Sequence, residues 1–210
     1  MENKDENKIN TLGWDAITKE AERVYPEQKD PKHYATIHPW RFGGPDPLDG
    51  ISIYDGGDYY HFVTYGLSEL YEKVSDDKEW SGWGMEFTFK LKKANYENTE
   101  DEIICICNIL QTIARITFNN SELFLPYQFI YSGQTEGIDS KQKSNITGFI
   151  TIHDTDFNTI NTPNGKVEFV ELIGATDAEL LKLKNKEMSV KELYEKLDTD
   201  VTSYNRDSVV

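Results

Sequence analysis

Apolar and polar residues alternate most cleanly over residues 85–92. Met85, Phe87, Phe89 and Leu91 share one side, and Glu86, Thr88, Lys90 and Lys92 the other. A period of two is that of a strand with one face toward a core and the other toward water. Residues 51–54 and 59–64 flank Asp55-Gly56-Gly57-Asp58, which predicts a β-hairpin. Trp14, Ile17, Ala21 and Val24 recur at helical spacing, and Pro26 stops that helix. A short strand is expected near 33–37, a short helix or turn over 66–74, and an acidic, Gly- and Trp-rich loop over 75–84. A second helix is expected from Thr99 to about Phe118, opened by Thr99-Glu100-Asp101-Glu102 as a capping box. Its polar residues Asn108, Gln111, Thr112 and Arg115 fall on one narrow stripe, so most of its surface should be buried against a sheet. Further strands are expected at 121–132, 147–153 and 166–172, with a polar loop at 133–146. Capping boxes at Thr176-Asp177-Ala178-Glu179 and Ser189-Val190-Lys191-Glu192 open two C-terminal helices. No regular βαβ alternation appears. The expected class is α+β: a single domain with a mixed, mostly antiparallel sheet and flanking helices. Its expected span is residues 11–197, after a disordered leader at 1–10 and before a flexible tail at 198–210.

Charge narrows the partners. The 210 residues carry 37 acidic and 22 Lys or Arg side chains, a formal charge of −15. That field repels nucleic acid and anionic membranes, so direct contact with either is not expected, and it favours a basic protein partner. The two cysteines, Cys105 and Cys107, cannot form a disulfide framework. The first ten residues lack the apolar core of a secretory signal, and no apolar run is long enough to span a membrane, so a cytoplasmic protein is expected.

Little in the chain points to catalysis. His33 and His38 lie five apart, which is not a metal-ligand spacing, and His61 and His153 stand alone. Cys105 and Cys107 at i, i+2 on a helix face different ways and read as small buried apolar groups. No nucleophile elbow, phosphate loop or dinucleotide fingerprint is present, so no catalytic residue, metal or cofactor is assigned. The most unusual stretch runs from Trp40-Arg41-Phe42 through Gly43-Gly44-Pro45-Asp46-Pro47-Leu48-Asp49-Gly50 to Ile51-Ser52-Ile53-Tyr54. Its Asp46 and Asp49, with Asp55 and Asp58, do not match a calcium-loop spacing and read first as turn devices. A second stretch sets Tyr65 and Tyr71 near Asp76, Asp77, Glu79, Trp80 and Trp83. Rings interleaved with acids suit a protein-binding surface; core rings under a solvated acidic loop fit the same composition equally well.

Three blocks resemble the Suppressor of fused family, in its order. They are residues 43–54, then Tyr65-Gly66-Leu67-Ser68-Glu69-Leu70-Tyr71, then Ser81-Gly82-Trp83-Gly84-Met85-Glu86-Phe87-Thr88-Phe89-Lys90-Leu91. Trp14-Asp15-Ala16-Ile17 and Leu172-Ile173-Gly174-Ala175-Thr176 extend the likeness to roughly residues 11–185. The resemblance implies an α+β binding domain and no enzymatic activity. The animal member sequesters a zinc-finger transcription factor and carries a second domain; this chain looks like the short, single-domain bacterial form. Some such forms act as immunity proteins or antitoxins beside nuclease-type toxins. The expectation is therefore a protein that neutralises a partner toxin, with a general scaffold or regulatory module as the alternative. In the animal protein a tyrosine after the matching leucine, and acids in the loop that follows, touch the partner. That places partner contacts at Tyr71 and, by region, at Asp76 and Asp77; Glu79 and Trp80 complete the candidate surface.

Overall fold

The period-two stretches become neighbours in one sheet. The computed structural model describes residues 10–210, so the expected leader lies, up to residue 9, outside the described residues. Strands β1 (Lys32–Ala35), β2 (Gly50–Asp55), β3 (Tyr59–Tyr65), β4 (Trp80–Lys92), β5 (Phe129–Ile130), β6 (Ile146–His153), β7 (Ile160–Thr162) and β8 (Gly165–Thr176) pair in the order β1-β2-β3-β4-β8-β6-β5, and β7 pairs with β8. The β4–β8 pair is parallel and the other pairs are antiparallel, as the mixed sheet requires. In the β2–β3 hairpin Ile53 faces Phe62, and the turn closes with the Gly57 amide on Asp55 Oδ1 at 2.8 Å. Gly57 sits at φ 88°, the left-handed conformation that favours glycine.

Alternation along each strand feeds two apolar layers. Ile53, Phe62, Phe87, Phe89, Val170, Leu172 and Phe149 point to one face, beneath helix α2 (Thr99–Asn120) with Ile103, Ile106, Leu110 and Ile113. On the other face, helix α1 (Leu12–Val24) sets Ile17 and Ala21 against Tyr54, Val63, Tyr65 and Phe169. Helices α3 (Asp177–Lys184) and α4 (Val190–Leu197) set Leu180, Leu183 and Leu193 against Ile150, Ile152 and Ile173.

Covering both faces changes the reading of β4. Glu86, Thr88 and Lys90, expected in water, are buried: Glu86 bonds the segment that leaves β3, Thr88 and Lys90 the turn after β6, and Lys90 also Asp200. They are tolerated because each has partners. Lys90 Nζ lies 2.6 Å from Asp200, 2.9 Å from Asp156 and 3.4 Å from Glu171. Burial alone would depress the Lys90 pKa; Glu171 and Asp154, with bonds to Asp200 and Asp156, raise it instead. Burial, reinforced by Asp154, pushes Glu171 well above the ordinary carboxylate range. His61 is wholly buried between the Tyr25 hydroxyl at 2.7 Å and Asp154 at 3.2 Å.

Other expectations need correction. Helix α2 is capped by Asn98, whose side chain accepts from the Glu100 amide; Glu102 instead accepts from Ser140. The helix buries one face only, and Ile104 stays 42% exposed. Of the polar stripe, Gln111 grips both backbone groups of Leu48 and Arg115 pairs with Asp46. Only Phe129–Ile130 of the strand expected at 121–132 joins the sheet, and β7 carried too few residues to show a period. The capping boxes at Thr176 and Ser189 form as expected. Residues after Leu197, expected to fray, pack onto the sheet: the Thr202 amide donates to Lys90 O and its carbonyl accepts from the Lys92 amide, both at 2.8 Å. Arg206 pairs with buried Glu179 at 2.6 Å, and Tyr204 is 6% exposed. Polar side chains that satisfy buried groups do this docking, which hydropathy does not register.

Candidate partner-binding surface

The segment that leaves β3 is shaped by two carboxylates. Glu86, fully buried on β4, accepts from the amides of Gly66 and Ser68 at 2.9 Å and from the hydroxyls of Ser68 and Thr64 at 2.7 Å. Burial raises its pKa against the pull of these bonds. Gly66, at φ 143°, passes so close to the 47–49 backbone that a Cβ would lie 2.6 Å from Pro47 O. Leu67 and Leu70 then turn inward, and the Leu70 carbonyl receives the Gly13 and Trp14 amides, closing the N-terminus of α1. Glu69 organises the following loop. Its Oε1 accepts from the amides of Val74 and Ser75, both at 2.6 Å, and its Oε2 from Gly82 and from Lys73 Nζ, both at 3.0 Å. Burial opposes ionisation, yet these bonds hold Glu69 below its ordinary pKa. The β7–β8 turn clamps the same loop: Asn164 donates to the carbonyls of Glu69 and Tyr71, and the Lys166 amide to Glu79 O.

On this frame Tyr71 is half-buried. Its hydroxyl donates to Asp49 Oδ2 at 2.6 Å. Burial and then the Asp49 bond push its pKa up to about 12. The Arg41 guanidinium lies 4.5 Å from the Tyr71 ring centre and 4.7 Å from that of Phe42, and Arg41 also pairs with Asp49 at 3.5 Å. Arg41, Asp49 and Tyr71, together with Glu72, Val74 and Phe118, line a cleft of about 290 Å³. Phe42 and Val74 beside it are 76% and 83% exposed. Asp46 bonds Thr36 at 2.9 Å and pairs with Arg115. Burial notwithstanding, Arg115 and Thr36 lower its pKa. Asp46 and Asp49 are thus both engaged within the fold.

The five candidate residues divide. Asp76 is exposed. Asp77 is a turn residue, its Oδ1 accepting the amides of Trp80 at 3.0 Å and Glu79 at 2.8 Å, which hold its pKa low. Glu79 pairs with Lys166 at 2.9 Å. The loop expected over 75–84 ends at Glu79, because Trp80 already pairs with Lys166 as the first residue of β4. Trp80 and Asp77 line a second cleft of about 320 Å³, apart from Tyr71, with Trp83, Leu123 and Leu125. Sequence reasoning missed Phe42, Val74 and the supporting Glu69; the Trp40-Arg41-Phe42 run was the available signal for the first. Among the described residues, no group of three or more His, Cys, Asp or Glu could hold a metal ion, and no helix is long and apolar enough to cross a membrane.

The architecture is a single α+β domain with a mixed eight-stranded sheet. Residues 44–207 match the Suppressor of fused protein (SUFU) family, and the chain belongs to it. It is 29% identical over 182 residues to the human Suppressor of fused homolog, a match covering 80% of this chain and 36% of that protein. The mouse homolog gives the same figures, so the chain spans about a third of the length of these curated relatives. Among solved structures, the Sufu–Fu complex superposes with a TM-score of 0.81 at 26% identity, covering 95% of this chain and 93% of that one. Drosophila Suppressor of Fused gives 0.80 at 27% identity, covering 95% and 52%. A putative SUFU homolog from Neisseria gonorrhoeae gives 0.62 at 16% identity, covering 95% and 97%, a likeness of fold.

Proposed function

We propose that the chain is a non-enzymatic protein-binding module whose partner docks around Tyr71 and along Asp76, Asp77, Glu79 and Trp80. The observation that carries this reading is the fixed Tyr71 ring, stacked on Arg41, tied to Asp49 and flanked by exposed Phe42 and Val74. A preordered aromatic anchor loses little entropy when a partner covers it. The likeness to a chain crystallised in a Sufu–Fu complex supports a protein partner. Within that class the finer proposal is an immunity- or antitoxin-like protein that neutralises a basic toxin in the cytoplasm. A charge of −15 accelerates encounter with a cationic face. The Sufu–Fu likeness equally favours the second reading, a scaffold or regulatory module with another client.

The test is affinity capture by the intact protein from its host, followed by binding kinetics of Tyr71→Ala. The expected result is a basic partner whose dissociation from the variant is faster by about 30-fold, the equivalent of about 2 kcal/mol. An acidic captured partner would remove the toxin reading. Unchanged binding by a well-folded Tyr71→Ala protein would remove the surface.

A further inference from the structure

The second cleft supplies the chemistry of the partner. The extended segment before β5 buries Phe124, 5% exposed, next to Phe87 in the core. Its neighbours Leu123 and Leu125 must then point the other way, and they are 42% and 49% exposed. They form one apolar wall of the cleft; Trp80, Trp83, Met85 and Val170 supply its other apolar side chains. Apolar side chains left facing a shaped cavity, rather than scattered over a surface, mark an interaction site.

The cavity is built into the sheet. Along the parallel β4–β8 pair, Trp80 lies opposite Lys166 and Met85 opposite Glu168, so β4 loops away from β8 between these pairs. Gly82 and Gly84 hold the bulge at φ 57° and 74°, and neither puts a side chain into the space. A Cβ on Gly84 would lie 3.0 Å from the Trp80 ring. The two charged side chains that line the cleft are both acidic. Asp77 and Glu168 line the cleft, and Glu79 and Glu122 adjoin its residues Trp80 and Leu123 in sequence. Lys166 pairs with Glu79 and lies 5.9 Å from the Trp80 ring centre, and His153 pairs with Glu168, so the balance around the cleft stays acidic.

We infer that this cleft receives an apolar side chain carried on a Lys- or Arg-flanked segment of the protein partner. The inference rests on the protein-binding reading above and adds the occupant's chemistry. The apolar walls take the side chain, and the acidic rim rejects a segment of like charge.

The test titrates the full-length, ¹⁵N-labelled protein with three capped pentapeptides: Lys-Lys-Leu-Lys-Lys, Lys-Lys-Ser-Lys-Lys and Glu-Glu-Leu-Glu-Glu. The readout is the indole N–H resonances of Trp80 and Trp83. The leucine peptide with lysines should move both signals saturably, at least tenfold more tightly than the serine peptide, and the acidic peptide should move neither. Leu125→Ser, and Leu123→Ser with Leu125→Ser, should abolish the response while thermal unfolding stays unchanged; Tyr71→Ala should leave it intact. No saturable shift at millimolar peptide would overturn the inference. So would equal response to the serine or acidic peptide, or wild-type response in the folded leucine variants. A peptide response that survives when Tyr71→Ala proves neutral toward the captured partner retires the Tyr71 surface alone. The reverse pattern retires this cleft alone.

Discussion

Removing the Glu69 carboxylate with Glu69→Ala should loosen the loop over residues 73–82 without dissolving the sheet beneath it. The side chain is 11% exposed, and it accepts three backbone amides and one ammonium. A hydrogen bond to a charged group contributes about 1.5–3 kcal/mol when its loss leaves a buried partner unmet. Val74 is exposed and Ser75 and Gly82 are half-buried, so water replaces much of what the carboxylate supplied. The expected cost is therefore about 2–3 kcal/mol for the set. No core residue lies between Glu72 and Glu79, so much of this should appear as local opening rather than global unfolding. Hydrogen exchange by mass spectrometry is the assay. Protection over 73–82 should fall by about 30- to 150-fold, the same energy expressed as an opening equilibrium. Protection over 86–91 should not change. Glu69→Gln, which keeps one acceptor oxygen, should recover part of the loss. Because the Glu69 pKa is lowered in the folded state, its contribution is present above the ordinary carboxylate range and is lost as pH falls through the depressed value. Unchanged exchange in Glu69→Ala at neutral pH would refute the account of how the loop is held.

Three further outcomes are expected. Arg206→Ala leaves Glu179 buried without its cation and should cost about 3–5 kcal/mol in urea unfolding, with Arg206→Lys recovering part. Glu171 has a raised pKa when folded, so its favourable contribution is full below about pH 4, the unfolded value, and is lost as pH rises toward the folded one. Glu171→Gln should accordingly flatten the decline in stability as pH rises above the unfolded value, measured by unfolding at stepped pH. Leu110→Ala, at a site 1% exposed between α2 and the sheet, should cost about 2–5 kcal/mol by thermal or urea denaturation, and a near-neutral result would move α2 off the core.

What could be read from the sequence followed from periodicity and capping. The β2–β3 hairpin, β4, α1 and the boxes at Thr176 and Ser189 each declare themselves within a few residues. Long-range satisfaction of polar groups was hidden. Glu86 and Lys90 look like a solvent face because nothing local shows that residues 64–68 and Asp154–Asp156 will meet them. Thr99 lost the cap of α2 to Asn98, one residue earlier and chemically as suitable. For the surface, the sequence marks Tyr71 and the acids as neighbours. It does not show that Tyr71 belongs with Arg41 and Asp49 while Trp80 belongs with Leu125, since those pairings join segments distant in sequence.

The position of β8 has a consequence for how the molecule is made. This strand lies between β4 and β6, yet it is translated after both. Until residues 165–176 emerge from the ribosome, β4 and β6 each present an unpaired hydrogen-bonding edge, rich in Phe on β4 and in Ile on β6. Such edges pair readily with other chains, and the β4–β8 contact must close a loop that contains α2, β5, β6 and β7. Nascent chains should therefore stay open until β8 is made and then complete the sheet in one cooperative step. In that interval a holdase chaperone has two exposed strands to shield, and a translational pause placed between β6 and β8 would prolong the exposure.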